Sequence, residues 1–138
     1  MTRRKKVVFV CEHGAAKSVI AREHFVRLAR ARGLRVDAIA RGTDPDLEIP
    51  ESVLRGLRED GFDVMQSAPR GLVTGDLQSA MLIVSFDADV SSIVGDEIRR
   101  EKRDGLPSVK ADYSSGKVPI IDLVEQLVDR LDNVSAAP

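Results

Sequence analysis

The sequence predicts an α/β domain built on a parallel sheet covered on both faces, and three observations carry that prediction. Short apolar runs alternate with amphipathic stretches along the chain. Two of the runs, residues 7–10 and 81–84, are continuously apolar, which is the pattern of a strand buried on both faces. The 138 residues hold no internal repeat and no Pro- or Gly-rich linker, so one domain over residues 1–138 is expected.

The elements follow in order. Residues 7–10 (VVFV), 36–40 and 81–84 read as strands. Residues 17–32 read as a helix, because Ala21, Phe25, Leu28 and Ala29 recur at i, i+4, i+7 and i+8 and Gly33 can supply a left-handed cap. After a loop at 44–50, Pro50 suits the first turn of a second helix carrying Val53, Leu54 and Leu57 and ending at Gly61. A helix is expected after Asp87, with Val90, Ile93 and Val94 inward and its tail, 97–103 (EIRREKR), a solvated face. Ile120, Val124, Leu127, Val128 and Leu131 form the stripe of a last helix, and 134–138 read as a frayed terminus.

Charge and cysteine usage narrow the function classes. Twenty-one basic against 22 acidic residues leave a net charge of -1, so no overall basic field points to nucleic acid or an anionic membrane. Any anion site must be local. A single cysteine excludes an intrachain disulfide and a cysteine-rich zinc site, and it fits a reduced, cytoplasmic setting. The basic start MTRRKK precedes an apolar run of residues 7–10 only, too short for a signal peptide or a membrane span. No metal and no cofactor are expected.

The chemistry concentrates in residues 7–18, VVFVCEHGAAKS. The first strand runs straight into Cys11, and ligands of open α/β sheets bind beyond the carboxyl ends of strands. Gly14 can take positive φ, and Ala15 and Ala16 let backbone pass close to a ligand, so the loop can curl into the N-terminus of the first helix. A curled loop turns successive N–H groups toward one point, and the helix dipole adds positive potential there. Those amides, the helix terminus and Lys17 would favour the thiolate of Cys11, and the Ser18 hydroxyl could hydrogen-bond to the sulfur. The alternative is a buried structural cysteine, a small hydrophobe.

Strand, Cys11, five residues, Lys17 and a helix opening at Ser18 resemble the phosphate-binding loop of the low-molecular-weight protein tyrosine phosphatases and the related thioredoxin-coupled arsenate reductases. SVIAREHF resembles the first helix of that family, ARGT the exit of its second strand, and ADY its late acidic loop. The resemblance implies a three-layer, four-stranded parallel sheet with helices on both faces. It also implies a two-step displacement in which the Cys11 thiolate attacks phosphorus and an aspartic acid protonates the leaving phenolate. Asp112 is the residue carried over as that acid, with Asp104 competing. The phosphate would lie among Glu12, His13, Gly14, Ala15, Ala16, Lys17 and Ser18, with Arg41 as a substitute guanidinium and Tyr113 flanking the substrate ring.

The sequence also departs from the family pattern. Lys17 stands where the family has arginine, and Gly14 where it has asparagine. Lysine is a point charge without the planar fork of a guanidinium. Glu12 and His13 are additions expected on the rim, facing water, and His24 reads as structural. The partner implied is a phosphorylated protein or a small phosphate ester, with no nucleic acid and no membrane. Arsenate reduction is the alternative, but with one cysteine it would need an external thiol; a non-catalytic anion-binding module is a third reading.

Overall fold

The computed structural model describes residues 4–64 and 68–136. Along the chain come β1 (Lys5–Cys11), α1 (Lys17–Ala31), β2 (Val36–Gly42), α2 (Glu51–Glu59) and a 3-10 turn (Thr74–Leu77). They are followed by β3 (Ala80–Phe86), β4 (Arg100–Lys102) and α3 (Tyr113–Ala136). The strands form one parallel sheet in the order β2-β1-β3-β4. From β1 the chain first steps to one neighbour, β2, and then to the other, β3. The connections therefore part above the carboxyl ends of β1 and β3, where a crevice opens. Cys11 is the last residue of β1 and stands opposite Phe86, the last of β3.

The sheet is covered on both faces, as its continuous apolar strands require. Val7, Phe9 and Cys11 point to one face, with Val19, Ile20 and Phe25 of α1, Val53 and Leu57 of α2, and Ile120, Val124 and Leu127 of α3. Phe9 meets Phe25 edge to face at 5.9 Å and stacks on Phe86 at 6.4 Å. Each fully buried side chain of this size contributes roughly 1.5–3 kcal/mol. Val8, Val10 and Ile83 point to the other face, where Leu72, Val90 and Val94 cover them. All three α-helices pack on the first face, so the helical cover expected on the second is reduced to the 3-10 turn.

The expected helix after Asp87 is absent. Residues 91–93 make a turn, in which Ile93 and Val94 N–H both reach the Val90 carbonyl, and Gly95 follows at once. The Asp89 carboxylate accepts the Ser91 N–H, a local bond that competes with helix. Val90 and Val94 are buried nonetheless. The charged tail read as a solvated helix face holds β4, a three-residue edge strand. An edge strand pairs through its backbone and tolerates charge; here Glu101 is gripped by both terminal nitrogens of Arg130 at 2.8 and 3.1 Å.

The helix ends follow local rules. Gly33 (φ +67°) closes α1 and Gly61 (φ +89°) closes α2, with Leu34 and Phe62 N–H returning to the Ala29 and Leu57 carbonyls at 2.8 and 3.0 Å. Pro50 is extended (φ -56°, ψ 140°) and caps α2 from outside rather than sitting in its first turn. α3 runs through residue 136, so the terminus read as frayed is helical to that point, and residues 137–138 lie outside the described residues, as do residues 1–3 of the basic start. Among the described residues no helix is long and apolar enough to cross a membrane.

Candidate active site

The loop after β1 is shaped by two glycines. Gly14 has φ +64°, and a Cβ built on it would lie 2.8 Å from the Gly42 nitrogen. A Cβ on Gly42 would lie 2.7 Å from the Gly14 nitrogen, so loop and β2 exit touch backbone to backbone. The carbonyls of Cys11, Glu12 and His13 point outward and accept N–H groups of Thr43 (3.2 Å), Asp44 (2.6 Å) and Asp46 (3.0 Å). Among the described residues the amides of 12–17 donate to no protein group. Ala16 precedes α1 and offers no side-chain cap, so the first-turn amides of the helix stay open as well. Sequence and fold together thus build a cradle of N–H groups at a helix N-terminus, which suits an anion.

Cys11 lies at the base of this cradle, 7% exposed. Its sulfur is 3.0 Å from the Ser18 hydroxyl, which is wholly buried. Lys17 Nζ donates to Asp87 Oδ2 at 3.2 Å and to the Leu106 carbonyl at 2.9 Å. The other oxygen of Asp87 accepts the Gly105 N–H at 2.9 Å, and the Asp87 N–H donates to Asp104 Oδ1 at 2.9 Å. The Gly105 amide, and then the Lys17 ammonium, hold the Asp87 carboxyl below the usual carboxylate range.

A cleft of about 470 Å³ opens over these groups. Its floor is Cys11, Ala15, Ala16 and Lys17, and its walls carry Asp46, Asp87, Ser108 and Lys110. Glu12 and His13 also line it from the exposed rim, where His13 Nδ1 lies 3.2 Å from Asp46 Oδ1. Gly14 backs onto Gly42, and Ser18 stands behind the thiol. Among the described residues no group of three or more His, Cys, Asp or Glu could hold a metal ion.

Three residues expected at the site lie elsewhere. Arg41 pairs in register with Val10, hence projects from the face opposite Cys11, where it donates to Asp76 Oδ2 at 3.1 Å and to its neighbour's carbonyl, Ala40, at 2.8 Å. Strand alternation put it there: the residue at the Cys11 position of β2 is Gly42. Tyr113 turns toward α2, packs against Gly56 and donates its hydroxyl to Asp60 at 2.7 Å. Asp112 is the N-cap of α3: its Oδ1 accepts the Ser115 N–H at 3.2 Å, and the Ser115 hydrogen bonds hold its carboxyl low. Neither Asp112 nor Asp104 lines the cleft.

Asp46, Asp87, Ser108 and Lys110 were not singled out from sequence. Asp87 carried a usable signal, since it directly follows the third strand at the same sheet edge as Cys11. Ser108 and Lys110 had none, because only the fold folds their loop back over the cleft.

The family model for low molecular weight phosphotyrosine protein phosphatase matches residues 6–115. The chain belongs to that family. The chain superposes on a low molecular weight protein tyrosine phosphatase from T. tengcongensis with a TM-score of 0.81 at 16% identity, over 91% of this chain and 99% of that one. It also resembles the thioredoxin-dependent arsenate reductase Cg_ArsC1' of Corynebacterium glutamicum, with a TM-score of 0.72 at 19% identity over 97% of this chain and 64% of that one. A Halobacterium salinarum protein named "Putative arsenate reductase" is 29% identical over 83 residues, 59% of this chain and 58% of its own length. The match thus spans little more than half of that relative. The phosphatase family fold, a four-stranded parallel sheet with helices, is therefore the fold of this chain.

Proposed function

We propose that this family member is a cysteine-dependent phosphatase acting on phosphotyrosine or a small aryl phosphate. The observation that supports the reading is the loop: amides of residues 12–17 without a protein acceptor among the described residues lie between the end of β1 and the start of α1, beside a thiol that a buried hydroxyl touches at 3.0 Å. The thiolate attacks phosphorus, the Sγ–P bond forms as the P–O bond to the aryl group breaks, and the phenolate departs. Water then attacks phosphorus, the Sγ–P bond breaks, and the thiolate and inorganic phosphate are regenerated with release of a proton. The loop amides, α1 and Lys17 hold the phosphoryl oxygens through both steps. Asp87 is engaged by Gly105 and Lys17, and Asp112 caps α3, so neither carboxylate is free to face the leaving phenolate. The substrate would be a phosphorylated protein or small phosphate ester in the cytoplasm.

A second reading has the named arsenate reductase relative behind it. The same thiolate would attack arsenate, the Sγ–As bond forming as one As–O bond breaks and hydroxide leaves as water. With one cysteine in the chain, an external thiol must then attack Sγ, the S–As electron pair reducing As(V) to As(III), and a second external thiol must release Cys11 as an external disulfide forms.

Hydrolysis of p-nitrophenyl phosphate by wild type, with none by Cys11→Ser, is the expected result. Arsenite production from arsenate and a small monothiol, without aryl phosphate hydrolysis, would replace the first reading by the second. Hydrolysis that survives in Cys11→Ser would refute the first reading, and arsenite production that survives in it would refute the second.

A further inference from the structure

Lys17 is a residue with a long flexible stem at a position that asks for a fixed charge. Its ammonium has three donors. Two are committed, one to Asp87 Oδ2 at 3.2 Å and one to the Leu106 carbonyl at 2.9 Å, and the side chain is 17% exposed. One donor remains, and Lys17 lines the cleft beside Cys11. Asp87 is itself fixed at both ends: its second carboxylate oxygen takes the Gly105 N–H at 2.9 Å, its own N–H goes to Asp104 at 2.9 Å, and its backbone sits at φ +51°. A guanidinium is pre-organised by its planar fork, whereas an ammonium is oriented only by its partners.

We propose that Asp87 is a positioning residue for the anion site, holding the Lys17 ammonium so that its remaining donor serves the cradle. Through Gly105 the same carboxylate ties the loop bearing Ser108 and Lys110 to that point. Asp87 acts through Lys17 and the loop rather than on the substrate. The inference rests on the phosphatase reading for its turnover readout only; its binding readout needs no turnover.

The test is a double-mutant cycle of Lys17→Ala and Asp87→Asn. Two signals are read: protection of Cys11 by inorganic phosphate against iodoacetamide, and turnover of p-nitrophenyl phosphate. Asn tolerates positive φ and keeps an acceptor for Gly105, so Asp87→Asn removes chiefly the charge facing Lys17. It should weaken phosphate protection and lower kcat by about tenfold each in the wild-type background, and by less than about twofold in Lys17→Ala. Asp87→Gly, at ease at φ +51°, is the second variant and should show the same dependence on Lys17. Full multiplication of the two effects would overturn the proposal, because Asp87 would then act independently of Lys17. So would tighter phosphate binding in Asp87→Asn, which would make Asp87 a mere neutraliser of the cation, or a wild type that phosphate fails to protect. Protection without turnover in wild type would sink the phosphatase reading alone and leave the cycle to be read on binding.

Discussion

The Ser18 hydroxyl lies 3.0 Å from the Cys11 sulfur in a buried pair joining the end of β1 to the first turn of α1. A hydroxyl that donates to a thiolate makes a charge-assisted bond, worth about 1.5–3 kcal/mol where water is excluded. Ser18→Ala should therefore remove a hydrogen-bond partner from the sulfur. The less stabilised thiolate is intrinsically more nucleophilic, which returns about half the effect, so alkylation by iodoacetamide near neutral pH should slow by about three- to tenfold. Phosphate protection should persist. An unchanged alkylation rate would show that the hydroxyl donates elsewhere when the sulfur is charged.

Gly14→Ala should be among the most damaging single changes. The substitution puts a side chain at φ +64°, which costs about 1–3 kcal/mol, and drives its Cβ against Gly42 backbone at 2.8 Å. Gly33→Ala is the control, because its φ is +67° but nothing lies within 4 Å of the added carbon. Thermal or urea unfolding should rank Gly14→Ala below Gly33→Ala, and only the first should lose phosphate protection of Cys11.

Three strands, two of the helices nearly to their ends, and the cysteine loop were legible because each is specified locally. The 7–10 and 81–84 runs are apolar throughout, and Gly33 and Gly61 mark helix ends by backbone freedom. β4 was hidden because an edge strand of Arg, Glu and Lys shows no apolar period, and its pairing with β3 is non-local. Arg41 and Tyr113 were misplaced for a related reason. Sequence order brings Arg41 to the correct sheet edge, but the face it projects from depends on a register with Val10 that only pairing sets. Tyr113 follows Asp112 in the chain, yet the cap that Asp112 makes turns the ring toward Gly56 of α2.

Stability should fall as acid is added, well before the carboxylates titrate. His24 is buried against Phe62, and burial followed by Arg27 lowers its pKa from 6.5 to about 4, with Asp60 opposing and Lys117 reinforcing. The folded state therefore holds His24 neutral where the unfolded chain protonates it. Between pH 6.5 and about 4 the unfolded state binds more protons, so stability drops as pH falls, by up to about 1.4 kcal/mol per pH unit. The contribution is fully present above 6.5. His24→Leu should flatten that part of the curve in urea titrations at stepped pH; an unchanged slope would assign it to other groups.

Tyr113→Phe should leave hydrolysis of p-nitrophenyl phosphate unchanged within about twofold, because the ring faces α2 and not the cleft. It should cost stability instead. Removing the hydroxyl takes one partner from Asp60, which keeps Lys117 Nζ at 2.8 and 2.9 Å, so the expected loss is about 1 kcal/mol. A fall in turnover at unchanged stability would return Tyr113 to the substrate site.

The two cations at this edge of the sheet should separate cleanly. Lys17 lines the cleft over Cys11, while Arg41 projects from the opposite face and is engaged by Asp76, whose side chain is only 12% exposed. Lys17→Ala should thus lose turnover of an aryl phosphate by on the order of a hundredfold to a thousandfold, the usual effect of removing a contact to charge that develops in the transition state. Arg41→Ala should leave turnover and phosphate protection alone. Its cost falls on folding, because Asp76 Oδ2 loses its charged partner while the Val73 N–H at 3.0 Å remains, and a nearly buried carboxylate stripped of such a partner costs about 1–3 kcal/mol. Unfolding midpoints and steady-state rates measured on the same two proteins decide the matter. Loss of turnover in a fully folded Arg41→Ala would mean that its guanidinium reaches the anion, against the strand register. Should Lys17→Ala hydrolyse as well as wild type, the loop amides and α1 alone would be holding the phosphoryl group, and no cation would be needed at position 17.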